Sequence, residues 1–155
     1  MLKTYIKWLY IILLMPLLAS CSWEDLPAYE DANIEGAQFY FRWASDDKDA
    51  ITGEPIVKEI QLNSSSKINQ DAGTVDVTIT VPAASNNFPE SARQKCSLDQ
   101  LWAQVTLSTA ARLTPINGSK PLGTPDNWNQ EHQYEVMAAN GTKKTWTIRV
   151  VSFTK

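Results

Sequence analysis

The sequence predicts an all-β fold, an antiparallel β-sandwich of about seven strands, over residues 33–155. Apolar residues alternate with polar residues in several short segments, as in strands that bury one face. Clusters of Gly, Pro and Asn separate these segments at regular intervals. No window of eleven or more residues beyond the first twenty has a convincing helical stripe, so a sandwich is the favoured arrangement.

Alternation is clearest at 75–81, where Val75, Val77, Ile79 and Val81 alternate with polar side chains. Residues 37–43 place Ala37, Phe39, Phe41 and Trp43 on one face and polar or amphipathic side chains on the other. The other strands are predicted at 56–62, where alternation is weaker, and at 101–107, 133–138 and 144–152. In strand 101–107, Leu101, Ala103, Val105 and Leu107 face the core, and Trp102 and Gln104 face away.

The last two strands form a hairpin whose register follows from which side chains must face the core. Tyr134 and Trp146 share the inward face only if the loop contains three residues, Ala139 to Gly141, because a two-residue loop would turn one apolar face to solvent. Gly141 then takes the left-handed position of a type I turn with a G1 bulge. The same register places His132 opposite Ile148 on the inward face.

The first 20 residues have the features of a lipoprotein signal peptide. Lys3 and Lys7 precede an uncharged run of twelve residues, 8–19, which is too short to span a bilayer but suits a secretory h-region. The run ends in Leu18-Ala19-Ser20-Cys21, which matches the bacterial lipobox. We therefore predict cleavage before Cys21, lipidation of the Cys21 thiol, and anchoring to a membrane through the lipid.

The predicted domain organisation is a signal peptide over residues 1–20, the lipidated Cys21 with a flexible tether over 21–32, and the sandwich over 33–155. The whole chain has 14 Lys and Arg against 17 Asp and Glu, a net charge of −3. This balance disfavours nucleic acid as a partner. Glu24 and Asp25 follow the lipidated cysteine and favour export to the cell surface, and a periplasm-facing position is the alternative.

Catalytic and cofactor motifs are scarce. His132 is the single histidine, and we expect it to be a buried structural residue, so nucleophilic triads and histidine metal sites are disfavoured. With Cys21 lipidated, Cys96 has no disulfide partner and is expected to be a half-buried apolar residue rather than a reactive thiol. A sandwich of this size has little room for a glycosidase cleft. We predict no enzyme activity, no cofactor and no metal site.

One acidic loop and two tryptophans leave binding open. Asp46, Asp47 and Asp49 superficially resemble a calcium loop without the spacing of an EF-hand, and a solvated turn is favoured. Trp128 lies in a polar loop and Trp102 on the polar face of its strand, so both are candidate ligand-binding residues. For Trp128 the alternative is that the ring folds back and closes one end of the sandwich.

The C-terminal third resembles a known family. The similar segments are 110–115 (AARLTP), 121–123 (PLG), 125–128 (PDNW), 134–141 (YEVMAANG) and 144–150 (KTWTIRV). Together with the lipobox they resemble Bacteroidetes surface lipoproteins with an immunoglobulin-like β-sandwich, whose members are often encoded beside SusC/SusD-type importers. Residues 33–100 match only by strand pattern. The resemblance implies location and fold, and it carries no catalytic residues to transfer.

These observations predict a non-catalytic, lipid-anchored lipoprotein exposed at the surface of the outer membrane. The expected role is an accessory binding or scaffold subunit of a nutrient importer, with a SusC/SusD-type importer and a glycan or peptide as expected partners. The alternative is a structural or adhesive, fimbrial-type lipoprotein. Subunits of that kind commonly exchange strands, and residues 22–32 lack the alternating apolar pattern of a donor strand.

Overall fold

Eight strands and two short helical segments follow one another in residues 28–155, the part of the chain that the computed structural model describes. Their order is β1 (Ile34–Lys48), β2 (Pro55–Gln61), β3 (Asn63–Asn69), β4 (Thr74–Thr80), α1 (Glu90–Lys95), a 3-10 turn (Leu98–Gln100), β5 (Leu101–Leu107), β6 (Arg112–Ile116), β7 (His132–Met137) and β8 (Lys143–Thr154). Within this part of the chain, no helix is long and apolar enough to cross a bilayer.

The strands form two sheets that pack face to face, which confirms the predicted all-β sandwich. One sheet has three strands in the order β2-β1-β5, and the other has five in the order β3-β4-β8-β7-β6. Neighbouring strands are antiparallel except β4 and β8, which run parallel. The described residues therefore contain one parallel pair and eight strands, where the sequence predicts an antiparallel sandwich of about seven.

The core lies between the sheets and is made by the predicted alternating faces. Phe39 and Phe41 of β1 face Ile79 of β4 and Trp146 of β8 from opposite sheets, and all four are at most 1% exposed. Burying each such side chain contributes about 1.5–3 kcal/mol. The face of β5 is less uniform, because Leu101 and Ala103 are buried while Val105 and Leu107 are only partly buried at the sheet edge.

The chain passes from one sheet to the other at Leu62, between β2 and β3. Leu62 is 1% exposed and donates its N–H to the carbonyl of Phe39 at 2.9 Å. The hydroxyl of Ser66 then accepts a hydrogen bond from the N–H of Ala37 and donates one to the Ala37 carbonyl. These hydrogen bonds satisfy main-chain groups of β1 in the part of the strand that does not pair with β2. This side of the sandwich is therefore closed.

The hairpin between β7 and β8 confirms the predicted register. Tyr134 pairs with Trp146 and His132 pairs with Ile148. Ala138 donates its N–H to the carbonyl of Thr142 at 2.8 Å, which leaves a loop of three residues. Gly141 has a φ of +88°, the left-handed conformation that glycine adopts without steric cost.

Residues 28–33 are attached to the sandwich before β1 begins. The indole N–H of Trp146 donates to the carbonyl of Ala32 at 2.9 Å, and Ala32 is 5% exposed. The hydroxyl of Ser108 donates to the carbonyl of Asp31, and Asn140 donates its N–H to the carbonyl of Tyr29. Residues 29, 31 and 32 of the predicted tether therefore contact the sandwich. The predicted signal peptide and Cys21 lie outside the described residues.

Candidate functional site

Trp128, one of the two predicted binding residues, is a core residue. Its side chain is 2% exposed, and its ring meets Phe39 edge to face with centroids 4.7 Å apart. Its indole N–H donates to the carbonyl of Leu101 at 3.1 Å. The prediction that Trp128 is an exposed ligand platform is wrong, because the loop carrying it folds over the open end of the sandwich and inserts the ring.

The polar residues around Trp128 form the turns that bring the ring inward. The carboxylate of Asp126 accepts the N–H of Asn127, and the side-chain oxygen of Asn127 accepts the N–H of Asn129. Burial alone would raise the pKa of Asp126, but hydrogen bonds from Lys120 and the Asn127 N–H hold that pKa below its usual value. These side chains are occupied in shaping the loop, as Asp and Asn commonly are in turns.

His132 has the structural role expected from its position. It is 1% exposed, and its Nε2 lies 2.9 Å from the carbonyl oxygen of Asn127. Its Nδ1 lies 3.6 Å from the carboxylate of Asp126, and its ring contacts Trp128 at a centroid distance of 4.3 Å. The imidazole therefore links β7 to the loop that closes the sandwich.

Trp102, the second predicted binding residue, lies on the outer face of the three-stranded sheet, as predicted. It is half-buried and pairs across the strands with Tyr40. The two rings stack with centroids 4.3 Å apart and planes inclined by 13°, and the guanidinium of Arg42 lies 4.6 Å from the Trp102 ring centroid. Stacking and the cation–π contact fix the ring in one position on this face.

Amide and charged side chains surround this aromatic pair. The amide oxygen of Gln38 accepts hydrogen bonds from the hydroxyl of Tyr40 and from the amide of Gln61. Arg42 pairs with Glu59 at 2.6 Å, and the two charges cancel. We call this group the aromatic face; its members are Gln38, Tyr40, Arg42, Glu59, Gln61, Trp102 and Gln104. It combines fixed rings with neutral groups that both donate and accept hydrogen bonds.

The indole N–H of Trp102 is buried and has no hydrogen-bond partner within residues 28–155. An unpaired buried donor costs about 1–3 kcal/mol. Trp128 and Trp146, by comparison, both donate their N–H groups to carbonyl oxygens. Of these three tryptophans, Trp102 alone has an indole N–H without a hydrogen-bond partner among residues 28–155.

The other groups considered from the sequence are in structural environments. Cys96 is fully buried, and burial raises the pKa of its thiol to about 11 against the weaker opposing effects of Lys155 and Arg93. The carboxylate of Asp49 accepts N–H bonds from Ile51 and Thr52, so it closes its own turn. In the described part of the chain, no three His, Cys, Asp or Glu side chains converge to hold a metal ion.

The comparisons with known proteins decide the family. The profile of the DUF5018-related family matches residues 34–149, which span nearly the whole described sandwich. The chain belongs to the DUF5018-related family. A crystal structure of a Bacteroides fragilis protein, described as a candidate secreted protein, is 48% identical, with a TM-score of 0.74, and covers 83% of this chain and all of its own.

Other comparisons add no function to this DUF5018-related chain. A candidate glycoside hydrolase from Bacteroides thetaiotaomicron has 18% identity and a TM-score of 0.42, covering 83% of this chain and 27% of its own. That likeness is too distant to carry a conclusion. Among curated proteins, none matches this chain.

The sequence contained a signal for part of the aromatic face that we did not use. Tyr40 and Arg42 occupy the outward positions of the first predicted strand, as Trp102 does in its own strand. The pairing of β1 with β5, in contrast, cannot be inferred from the sequence of this DUF5018-related protein. Those strands are separated by more than fifty residues, so Tyr40 and Trp102 become neighbours only through the fold.

Proposed function

We propose that this chain is a non-catalytic lipoprotein of the outer-membrane surface that acts as an accessory binding or scaffold subunit of a nutrient importer. The aromatic face would bind the imported material, a glycan or a peptide. Lipid attached to Cys21 would anchor the protein to the membrane. The description of the 48% identical Bacteroides fragilis relative as a candidate secreted protein supports a location outside the cytoplasm.

The observation that carries this proposal is the stacked pair of Tyr40 and Trp102 on a solvent-facing sheet. Core aromatics such as Phe39 are fully buried, whereas this pair stays half-exposed among amide side chains. Rigid aromatic surface binds apolar faces of sugars or peptides at low entropic cost, and adjacent amides pair with hydroxyl or backbone groups. A flat, open surface suits an extended chain better than a small enclosed molecule.

The environments of the nucleophilic side chains support a binding role over a catalytic one. The thiol of Cys96 is buried with a raised pKa, so it stays protonated at neutral pH. The imidazole of His132 is buried and bonded to the loop that closes the sandwich. Neither group reaches a solvent-facing surface where substrate could meet it.

Affinity electrophoresis through gels containing single polysaccharides tests the aromatic face. Retardation of the protein by at least one polysaccharide, lost in Trp102→Ala, would support the proposal. Gln130→Ala is the matched control, because Gln130 is an exposed polar residue outside this face and should leave migration unchanged. The proposal would be overturned if every polysaccharide retarded the wild type and Trp102→Ala equally, and if calorimetry with a panel of peptides also showed no difference between the two proteins.

The fimbrial-type alternative is favoured by one feature, the open edge of β5. Loop N–H groups of Gly123 and Asp126 bind the carbonyls of Ala103 and Leu101, but no main-chain bond within residues 28–155 reaches Val105 from that side. An apolar groove of about 320 Å³, lined by Leu107, Leu113 and Leu122 among others, lies beside it. A strand added here from another subunit would complete the three-stranded sheet.

The variant Val105→Pro distinguishes this alternative from the importer role. The N–H of Val105 points to the free edge, so proline removes a donor for an added strand and keeps the pairing of β5 with β1. Loss of covalently cross-linkable oligomers from native membranes in this variant would favour strand exchange. Unchanged cross-linking would favour the importer role.

A further inference from the structure

A polar cleft lies at one end of the sandwich, where Trp43 and Lys58 follow next to Arg42 and Glu59 of the aromatic face but lie on the other side of the β1–β2 pair. It opens between the last residues of β1 and the segment that includes α1, and its volume is about 210 Å³. Its walls include Asp46, Asp47, Lys58, Asn86 and Ser91. We call it the distal cleft. We propose that the distal cleft binds one neutral sugar residue, such as the terminal residue of a glycan.

One of the residues that line the distal cleft is aromatic. Trp43 lines the cleft and is 8% exposed, since most of its ring is packed in the core. It contacts Phe41 and Phe88 at centroid distances of 6.0 and 5.3 Å, so the ring is held in place. A fixed tryptophan in the lining of a polar cavity suits a ring that has both an apolar face and hydroxyl groups.

The charges in the distal cleft balance, and this favours a neutral ligand. Lys58 donates to the carboxylate of Asp47 at 2.5 Å, which neutralises both groups. Asp46 and Lys95 add one charge of each sign to the same walls. Because the walls carry equal numbers of positive and negative charges, they give no net preference for an anion or a cation, whereas hydroxyl groups can both donate to the carboxylates and accept from the ammonium groups.

Several polar side chains in the cleft are available for a ligand. The side chains of Asp46, Asn86 and Ser91 make no hydrogen bond to other groups within residues 28–155. Asn86 lies in the tight turn that Ser85 and Phe88 close with two main-chain bonds, so its backbone is fixed. A carboxylate, an amide and a hydroxyl on fixed backbone are the groups that would orient a polyhydroxylated ring.

The size of the cleft limits the part of a ligand that it can enclose to a single ring. An apolar cavity of about 150 Å³ accommodates benzene. The distal cleft, at about 210 Å³, therefore has room for one six-membered ring with its substituents and not for a second ring. Because the cleft is open to solvent, the rest of a longer chain could continue outward.

The position of the distal cleft suits capture of a chain end. Residues 28–33 meet the sandwich near Ser108 and Asn140, at the start of β1, and Trp43 lies about 30 Å further along that strand at roughly 3.3 Å per residue. If Cys21 carries the anchor, the cleft points away from the membrane; this orientation rests on the proposed function. The sugar binding itself does not depend on the anchor or on the aromatic face.

The test is a titration of the 15N-labelled mature protein in phosphocholine micelles, which contain no sugar, followed by amide chemical shifts. The probes are the methyl glycosides of glucose, galactose, mannose and N-acetylglucosamine, with dialanine as a zwitterionic comparison. We expect saturable shifts at residues 43–47 and 86–91 for at least one glycoside. Asn86→Ala should weaken that binding roughly fivefold, the effect of one lost hydrogen bond.

Three further variants make the result specific. Asn87→Ala is the matched control, because Asn87 shares the turn and its exposure but does not line the cleft, and its Kd should equal that of the wild type. Ser91→Tyr places a large ring into the cleft from the exposed side of α1 and should abolish the shifts. Trp102→Ala should leave them unchanged, which separates this site from the aromatic face.

Three results would overturn the proposal. One is the absence of saturable shifts for every glycoside up to about 50 mM, far above a weak Kd of roughly 1 mM. Another is binding of dialanine alone, which would make the cleft a site for peptide termini. The third is a glycoside response that lies elsewhere, or that Asn86→Ala and Asn87→Ala change equally.

Discussion

Trp128 and Trp102 differ in what their indole rings contact, and this difference decides what each substitution should do. Trp128→Ala removes a ring that packs on Phe39 and hydrogen-bonds Leu101, so it should lower the free energy of unfolding by about 3–5 kcal/mol. Trp102→Ala removes one half-exposed stacked ring and should cost about 1–2 kcal/mol. Urea unfolding followed by circular dichroism measures both, and equal costs would contradict the two environments.

Cys96 provides a second prediction at the level of a single residue. Because burial raises the pKa of its thiol from 9.0 to about 11, folding favours the protonated form. Its contribution to stability is therefore complete below pH 9 and is lost as the pH rises through 11. In a Cys21→Ser background, a thiol reagent should modify Cys96 slowly at pH 8 in buffer and rapidly in guanidinium. Rapid modification of the folded protein would show that the thiol is accessible.

The elements that the sequence predicted well are those determined by local contacts. The hairpin of β7 and β8 follows from the alternation of its own side chains and the position of Gly141, and its register was predicted correctly. The parallel pairing of β4 with β8 depends on contacts between distant segments and left no local pattern. The six-residue helix α1 is too short to show a helical stripe.

From the sequence, the burial of Trp128 was only the alternative to a ligand site, for a related reason. A loop has no periodicity that separates an inward ring from an outward one, so only the path of the loop decides. The sequence held one usable signal, since Asp126, Asn127 and Asn129 are residues that close turns with their own side chains. Such residues beside a tryptophan indicate a folded loop more strongly than a ligand site.

Glycine substitutions test the turns of the five-stranded sheet. Gly141→Ala should lower stability by about 1 kcal/mol, because Gly141 has a φ of +88° and open space around a new Cβ. Gly73→Ala should cost clearly more, because φ is +63° and the new Cβ would clash with the main-chain carbonyl oxygen of Thr145. Thermal unfolding measures which of the two substitutions lowers stability more. Gly36→Ala, at ordinary φ with only a 3.9 Å contact, is the control, and a cost as large as that of Gly73→Ala would contradict the argument.

For the whole molecule, lipid attachment at Cys21 is the prediction that determines its location. Cys21→Ser should yield an uncleaved or soluble product, because the acidic residues that follow offer no second, basic anchor. Fractionation of cells after a high-salt wash measures this. Ser22→Ala is the control and should remain in the membrane fraction, while retention of a processed Cys21→Ser product, from which residues 1–20 have been removed, would contradict lipid anchoring.

The arrangement of the molecule connects its two candidate sites to that anchor. The aromatic face runs along one side of the sandwich, and the distal cleft lies at the end opposite the attachment of residues 28–33. In the proposed orientation, a glycan chain could contact the side and present its terminal residue to the tip. A membrane-anchored module of this kind would raise the local concentration of glycan beside an importer.

The central claim is that this protein works as a binding subunit of a nutrient importer. The most direct measurement is mass spectrometry of what co-purifies with the tagged, detergent-extracted protein from its native outer membrane, with Cys21→Ser as the control for membrane-dependent association. The account predicts enrichment of a SusC/SusD-type importer with the wild type and its loss with Cys21→Ser. Recovery of fimbrial subunits instead, or of no stoichiometric partner at all, would contradict it.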